Sequence, residues 1–366
     1  MRRSGVLVAQ YTIVPVGIAL ELEPKRRLDV FDVRNEVSRL HGPALEPFRR
    51  RLYASHHTTA GYLPQSLAAR LCRRPEAFES YLKLLGTVFP ERAGYRHDQI
   101  ELRSDVPADQ RDREPINADS HLAFIAGGLQ SCVAYDARRT MPVYFVDLDG
   151  THQGTPRQRR TTIIGYNDET VVAQARLTVP VSVHPIDAVS LKQPALGLYD
   201  QVREWIAIHG VTNGRVRLEL SHDEQHAGLT VNEYETLLMQ HDLVEVLRNP
   251  LGFAAEKARH AWNDPMAVPA KALAYARYDL VRALNQLVDA LGLGSSRVER
   301  LVARTLEVSA SRFIRMRRSV DLPISDAGTP GQGTLIEGTY QVPILVQWRP
   351  AGQPSREITL TLSRFS

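Results

Sequence analysis

Residues 30–42, VFDVRNEVSRLHG, are echoed by residues 198–210, LYDQVREWIAIHG, down to the closing His-Gly. After the first stretch a strand-like run leads into Ala60-Gly61, and after the second the run from Arg215 to His226 leads into Ala227-Gly228. Each half also closes on two β-rich runs, 143–149 with 161–166 and 340–348 with 356–362, which read as hairpins. Self-similarity of this kind means that one structural unit has been laid down twice. A length of 366 residues agrees, because it exceeds one ordinary domain and leaves each half enough chain to bury its own core. The expectation is a tandem pair, residues 1–170 and 171–366, with a helical insertion at about 265–318 in the second.

Composition excludes several classes. Hydrophobic residues at 43% and charged residues at 23% are those of a soluble globular protein. The 45 Lys plus Arg against 41 Asp plus Glu leave only +4, which gives no footprint for nucleic acid. A local basic run at Arg312, Arg315, Arg317 and Arg318 is a candidate for holding an anionic ligand. Two cysteines, Cys72 and Cys132, make neither a disulfide framework nor a four-thiolate zinc site, which fits a cytoplasmic protein. The N-terminus has a positive start but no unbroken apolar stretch, so it reads as a first strand and not as a signal peptide. No run approaches the ~20 apolar residues of a membrane span.

Along the chain, Val6–Leu22 reads as one or two strands broken at Pro15 and Gly17. Apolar spacing at Val30, Val33, Val37 and Leu40 predicts a helix over 29–40 that His41-Gly42 ends. Residues 67–85 read as helix interrupted near Pro75, and the polar segment up to Pro115 as a loop that orders around a ligand or partner. A short helix is expected over 121–127. In the insertion, Leu273, Tyr278, Val281, Leu284, Leu287, Val288 and Leu291 recur at helical spacing and read as core.

Chemistry concentrates in three pieces: Leu52–Gly61 (LYASHHTTAG), Tyr95-Arg96-His97-Asp98, and Asn117-Ala118-Asp119-Ser120-His121-Leu122. Converging neutral imidazoles bind zinc or another transition metal, and His57, His97 and His121 are the candidate ligands, with Asp98 and Asp119 to orient the rings or replace one. The metal-free alternative is a histidine acting as general acid or base, with Thr58, Thr59 and Asn117 donating hydrogen bonds to a phosphate or carboxylate. His57, Thr58, Thr59, Asn117 and Asp119 are the catalytic candidates, and His56 reads as structural. There is no glycine-rich phosphate loop and no Gly-x-Ser-x-Gly elbow.

Over residues 10–167 these pieces, in this order, resemble the YjbQ family, also called UPF0047 and secondary thiamine-phosphate synthase. The resemblance implies an α+β fold with mixed or antiparallel sheets and flanking helices, and trimers, so that three fused chains would form a pseudo-hexamer with sites completed across copy or chain boundaries. It also implies a transferase that makes thiamine phosphate and uses magnesium, a task that histidines fit poorly.

The two copies depart from the family pattern in complementary ways. Copy one has Pro64-Gln65-Ser66 where the family has an Asn-Glu pair, whereas copy two reads Leu229-Thr230-Val231-Asn232-Glu233. Copy two in turn carries Glu224-Gln225-His226 in place of His-Thr-Thr. Gly338-Thr339-Tyr340-Gln341 resembles the family's Gly-Thr-Trp-Gln, where copy one has Arg139-Thr140-Met141-Pro142. His260 falls where copy two's Tyr-Arg-His segment would lie, and Glu224, His226 and Glu233 are candidates for a second, altered site. Three functional readings stand: the thiamine-phosphate transferase that the family label implies, a metal- or histidine-dependent enzyme of another reaction class acting on a small polar or phosphorylated metabolite, or a non-catalytic ligand-binding or scaffold protein on the same fold.

Overall fold

The first strand shows how the pattern is used. In β1 (Val16–Leu22) Ile18, Leu20 and Leu22 are buried while Ala19 and Glu21 face out, the period of two that a half-buried strand requires. A computed structural model describes residues 14–72, 75–224, 226–248, 253, 256–257, 317–348 and 354–366. The expected insertion and His260 lie almost wholly or wholly outside the described residues, as do Arg312 and Arg315.

The first half continues with β2 (Asp29–Asp32), α1 (Val33–His41), β3 (Arg50–Ser55), β4 (Ala60–Tyr62), α2 (Gln65–Leu71), α3 (Pro75–Val88), α4 (Ala118–Ala126), β5 (Cys132–Asp136), β6 (Tyr144–Asp147), the two-residue strands β7 (Thr151–His152) and β8 (Thr155–Pro156), and β9 (Arg159–Tyr166). The second half follows with β10 (Glu169–Pro180), β11 (Asp187–Ser190), α5 (Leu198–His209), β12 (Gly214–Leu220), β13 (Ala227–Asn232), α6 (Leu243–Arg248), β14 (Ser319–Ser325), β15 (Thr334–Leu335), β16 (Val342–Gln347) and β17 (Ser355–Phe365). The architecture is α+β, and the strand pairs are antiparallel.

The strand orders of the halves correspond. A sheet ordered β1-β9-β3-β5 answers one ordered β10-β17-β12-β14, which β15 extends, and a sheet ordered β2-β6-β4 answers one ordered β11-β16-β13. In each half the helix that ends in His-Gly sits between the second and third strands.

Two expectations are corrected. The helix over 29–40 begins only at Val33, because Asp29–Asp32 pair with Tyr144–Asp147 and the Asp32 carboxylate then caps the helix through Arg34 N–H. The closing runs of each half are not hairpins. In the first half β6 lies between β2 and β4 while β9 lies between β1 and β3. Each is a central strand with both edges taken, so the chain crosses from one sheet to the other between them. In the second half β16 and β17 divide in the same way.

One core cluster joins the halves. Val33, Tyr62, Tyr81, Phe124 and Phe145 belong to one core with Ala188, Leu238, Met239, Leu243, Ile344 and Val346, so helices and strands of the first half share their apolar interior with the β11-β16-β13 sheet. A second cluster, around Val202, Val216, Leu218 and Leu360, belongs to the second half alone. No helix among the described residues is long and apolar enough to cross a membrane.

Candidate functional site

Between β3 and β4 the chain makes a four-residue turn, His56–Thr59, and this turn forms one wall of a cleft of about 470 Å³. The turn is held from both halves. Ser55 Oγ donates to Ala60 O at 2.6 Å and accepts from His57 N–H at 3.1 Å. From the second half, Gln341 Nε2 donates to Ser55 O at 2.9 Å and to His57 O at 2.8 Å, and Asn232 Nδ2 donates to Thr58 O at 3.0 Å.

His57 Nε2 accepts from Arg160 N–H at 2.7 Å, so the neutral ring carries its proton on Nδ1. Burial, helped by Arg159, His56, Arg157 and Arg160, pushes His57 down to about 3, and burial with Arg160 pushes His56 down to about 4. Both rings are therefore neutral at physiological pH.

Behind the turn, His97 and His121 meet edge to face with centroids 5.3 Å apart. Asp242, from the second half, clamps the Tyr95–Asp98 segment by accepting from Arg96 N–H at 3.0 Å and His97 N–H at 2.9 Å. Glu235 accepts from His97 Nδ1 at 3.0 Å and from the amides of Leu237 and Leu238 at 2.8 and 2.7 Å. Burial, the largest single effect, opposes charge on His97, but the hydrogen bond to Glu235 together with the nearby Glu233 and Asp98 carboxylates outweighs it and raises the pKa.

The tautomer of His121 is fixed by its neighbours. Asn232 Oδ1 accepts from Glu233 N–H at 2.8 Å, and its amide nitrogen is committed to Thr58 O, so the oxygen faces His121 Nδ1 at 2.7 Å and that nitrogen must be the donor. Nε2 is left with a lone pair, buried and without a hydrogen-bond partner. The atom it faces, at 3.5 Å, is Glu233 Oε2. Burial lowers the His121 pKa well below its usual value and raises that of Glu233. Two acceptors face each other unless one proton lies between them, and the directions of these shifts favour Glu233 over His121 as its holder.

Arg103, almost wholly buried, binds Glu233 Oε1 at 3.3 Å, Glu114 at 3.0 Å and Asp105 at 2.6 Å. It thereby ties the long loop before α4 to the second half. Asn117 is oriented by Asp149, which accepts from its Nδ2 at 2.8 Å, and turns its oxygen toward His97 Nε2 at 3.3 Å. Arg157 and Arg27 also pair with Asp149, and Arg159 pairs with Asp147 at 2.7 Å.

Of the residues singled out from sequence, His57, Thr58, Thr59 and Asn117 line the cleft. Asp119 instead holds Arg27 at 2.7 Å and is not among the lining residues. The three histidines do not form a common ligand set: His97 and His121 adjoin, while His57 Nε2 is taken up by the Arg160 amide. Among the described residues no group of three His, Cys, Asp or Glu side chains is placed to hold a metal ion. Arg317 and Arg318 of the basic run bind the backbone carbonyls of Gly128, Ser221 and Glu224.

Sequence reading missed Glu235, Asp242, Arg103 and Arg157. For Glu235 a signal existed, an acid two residues before the apolar run Leu237-Leu238-Met239, where a carboxylate caps a helix. The others carry no local pattern, since each works through partners about 100 residues or more away or within an irregular loop.

No protein-family model matches the chain, and no curated protein matches it. Solved structures do, over about half its length. A YbjQ-like protein of unknown function from Sulfolobus solfataricus is 16% identical, with 54% of this chain and 99% of that chain covered and a TM-score of 0.28. A hypothetical protein from Aeropyrum pernix is 18% identical, with 52% and 98% covered and a TM-score of 0.27. An uncharacterized conserved protein of the YjbQ/UPF0047 family from Clostridium acetobutylicum is 12% identical, with 52% and 99% covered and a TM-score of 0.23.

Proposed function

We propose that the chain is an enzyme that acts on a small polar or phosphorylated metabolite by proton transfer through Glu233 and His121. The observation that carries this reading is the lone pair of His121 Nε2, buried and unpartnered, 3.5 Å from a carboxylate that lines the cleft. Leaving such an atom unpaired costs on the order of 1–3 kcal/mol, and a shared proton removes that cost. Catalytic hydrogen bonds commonly tighten when substrate binds, so 3.5 Å is a workable starting distance.

In this reading Glu233 is the general acid or base that meets the substrate. His121 takes up or returns its proton, and Asn232 fixes the tautomer that makes this possible. Thr58, Thr59 and Asn117 orient the ligand, while neutral His57 presents an N–H to it.

A panel of phosphorylated and carboxylated metabolites, including a pyrimidine pyrophosphate with a thiazole phosphate, is screened by thermal shift, and binders are followed for turnover by mass spectrometry. Glu233→Gln keeps the shape and the Arg103 contact but cannot carry the proton. It is expected to lower kcat by about 10²- to 10⁴-fold. Turnover that survives Glu233→Gln, or ligands that bind the native protein without being converted, would overturn the assignment.

A further inference from the structure

The charges around the cleft are sorted. Arg157, Arg159 and Arg160 come from one short stretch at β8 and the start of β9, next to His57. Glu114 and Glu233 come from the loop before α4 and the end of β13, where they and Asp105 surround a single guanidinium, that of Arg103. One end therefore carries three cations, and the other carries three carboxylates on one cation.

The partners of these groups show which remain available. Arg159 is committed to Asp147 deep in the fold, and Arg160 faces Glu21 on the outer surface at 3.4 Å. Arg157 is the cation that borders the cleft with part of its side chain open to solvent, 31% exposed, braced from behind by Asp149. At the acidic end Glu114 is 27% exposed and shares Arg103 with two other carboxylates. The titration behaviour agrees with this division: arginines help hold His57 down, while Glu114 and Asp105 add to the upward shift that burial gives Glu233.

We propose that the cleft takes a zwitterion, with a carboxylate or phosphate set at Arg157, His57 and Thr58 and a protonated amine set between Glu114 and Glu233. Buried or half-buried charge of one sign is costly unless it is paired, and a ligand with both charges pairs both ends at once, whereas a simple anion leaves the acidic end uncompensated. The amine also acts on the proton. A cation beside Glu233 favours its ionised form and drives the shared proton onto His121, so binding would arm Glu233 as a base. This inference rests on the proposed use of the cleft as a substrate site.

The probes are ω-amino acids of increasing chain length and O-phosphoethanolamine, each compared with singly charged analogues, the alkyl carboxylate, ethyl phosphate and ethanolamine, by calorimetric titration. At least one zwitterion is expected to bind ten times or more tighter than both of its singly charged analogues. Glu114→Gln should erase the advantage of the amine and leave anion binding in place. Arg157→Gln should do the reverse, and Arg157→Lys should restore anion binding, which separates loss of the charge from loss of the fold. Singly charged anions that bind as tightly as every zwitterion, a preference for the amine that persists in Glu114→Gln, or no binding by any zwitterion would each refute the proposal. Selective binding without turnover defeats the catalytic reading and leaves recognition standing. Turnover of a simple anion that depends on Glu233 has the opposite meaning.

Discussion

Replacing His57 by Gln should flatten the acid side of the stability profile. In the native protein His57 titrates at about 3 instead of 6.5. Above pH 6.5 the ring is neutral in both folded and unfolded chains and favours neither. As pH falls below 6.5 the unfolded chain takes up a proton that the folded one refuses, so stability is lost progressively down to the folded value near 3. Between pH 7 and pH 5 a single fully buried group of this kind costs about 2 kcal/mol, at 1.36 kcal/mol per pH unit once the unfolded side chain is fully charged. His57 is only partly buried, and solvent screening reduces the figure to roughly 1 kcal/mol. Gln retains an acceptor for the Arg160 amide and has no proton to refuse. Urea unfolding followed by circular dichroism at pH 7, 6 and 5 measures the difference: the native protein should lose about 1 kcal/mol more than His57→Gln over that range. Parallel losses in the two proteins would show that His57 protonates freely in the fold, and the account of a ring held neutral by burial and arginines would be wrong.

Two further outcomes concern the joint between the halves and the base of the cleft. Gln341→Ala removes both hydrogen bonds to Ser55 O and His57 O and should lower stability by about 1–3 kcal/mol in the same assay, while Gln341→Glu, which lacks the amide donor, should do no better. Arg159→Met leaves Asp147 buried without its ion pair and should cost about 3–5 kcal/mol, most of which the double replacement Arg159→Met, Asp147→Leu should recover; a neutral single variant would contradict the pairing.

Much of this was legible before the structure. The repeated HG-terminated stretches announced the duplication because a helix stop and a strand entry are local events, written in adjacent residues. The His57 turn and Asn117 could be singled out for the same reason. Sheet membership could not: runs 143–149 and 161–166 look like a hairpin because both are β-rich and close in sequence, yet both edges of β6 and of β9 are taken by other strands. The split of the site was visible only as complementary loss, Asn232-Glu233 in one copy and His57-Thr58-Thr59 in the other. That Glu233 reaches His121 depends on a contact across 112 positions, which no spacing rule encodes.

The placement of Glu233 and His121 on opposite halves has a consequence for assembly. A site built by two separate chains empties as they are diluted, and its occupancy follows their concentration. Joined in one polypeptide, the two contributions meet at an effective concentration on the order of millimolar whatever the amount of protein present. Each half is then free to discard the motif that the other supplies, and once both have done so neither can be cut away: the linker has turned an optional partnership into an irreversible one.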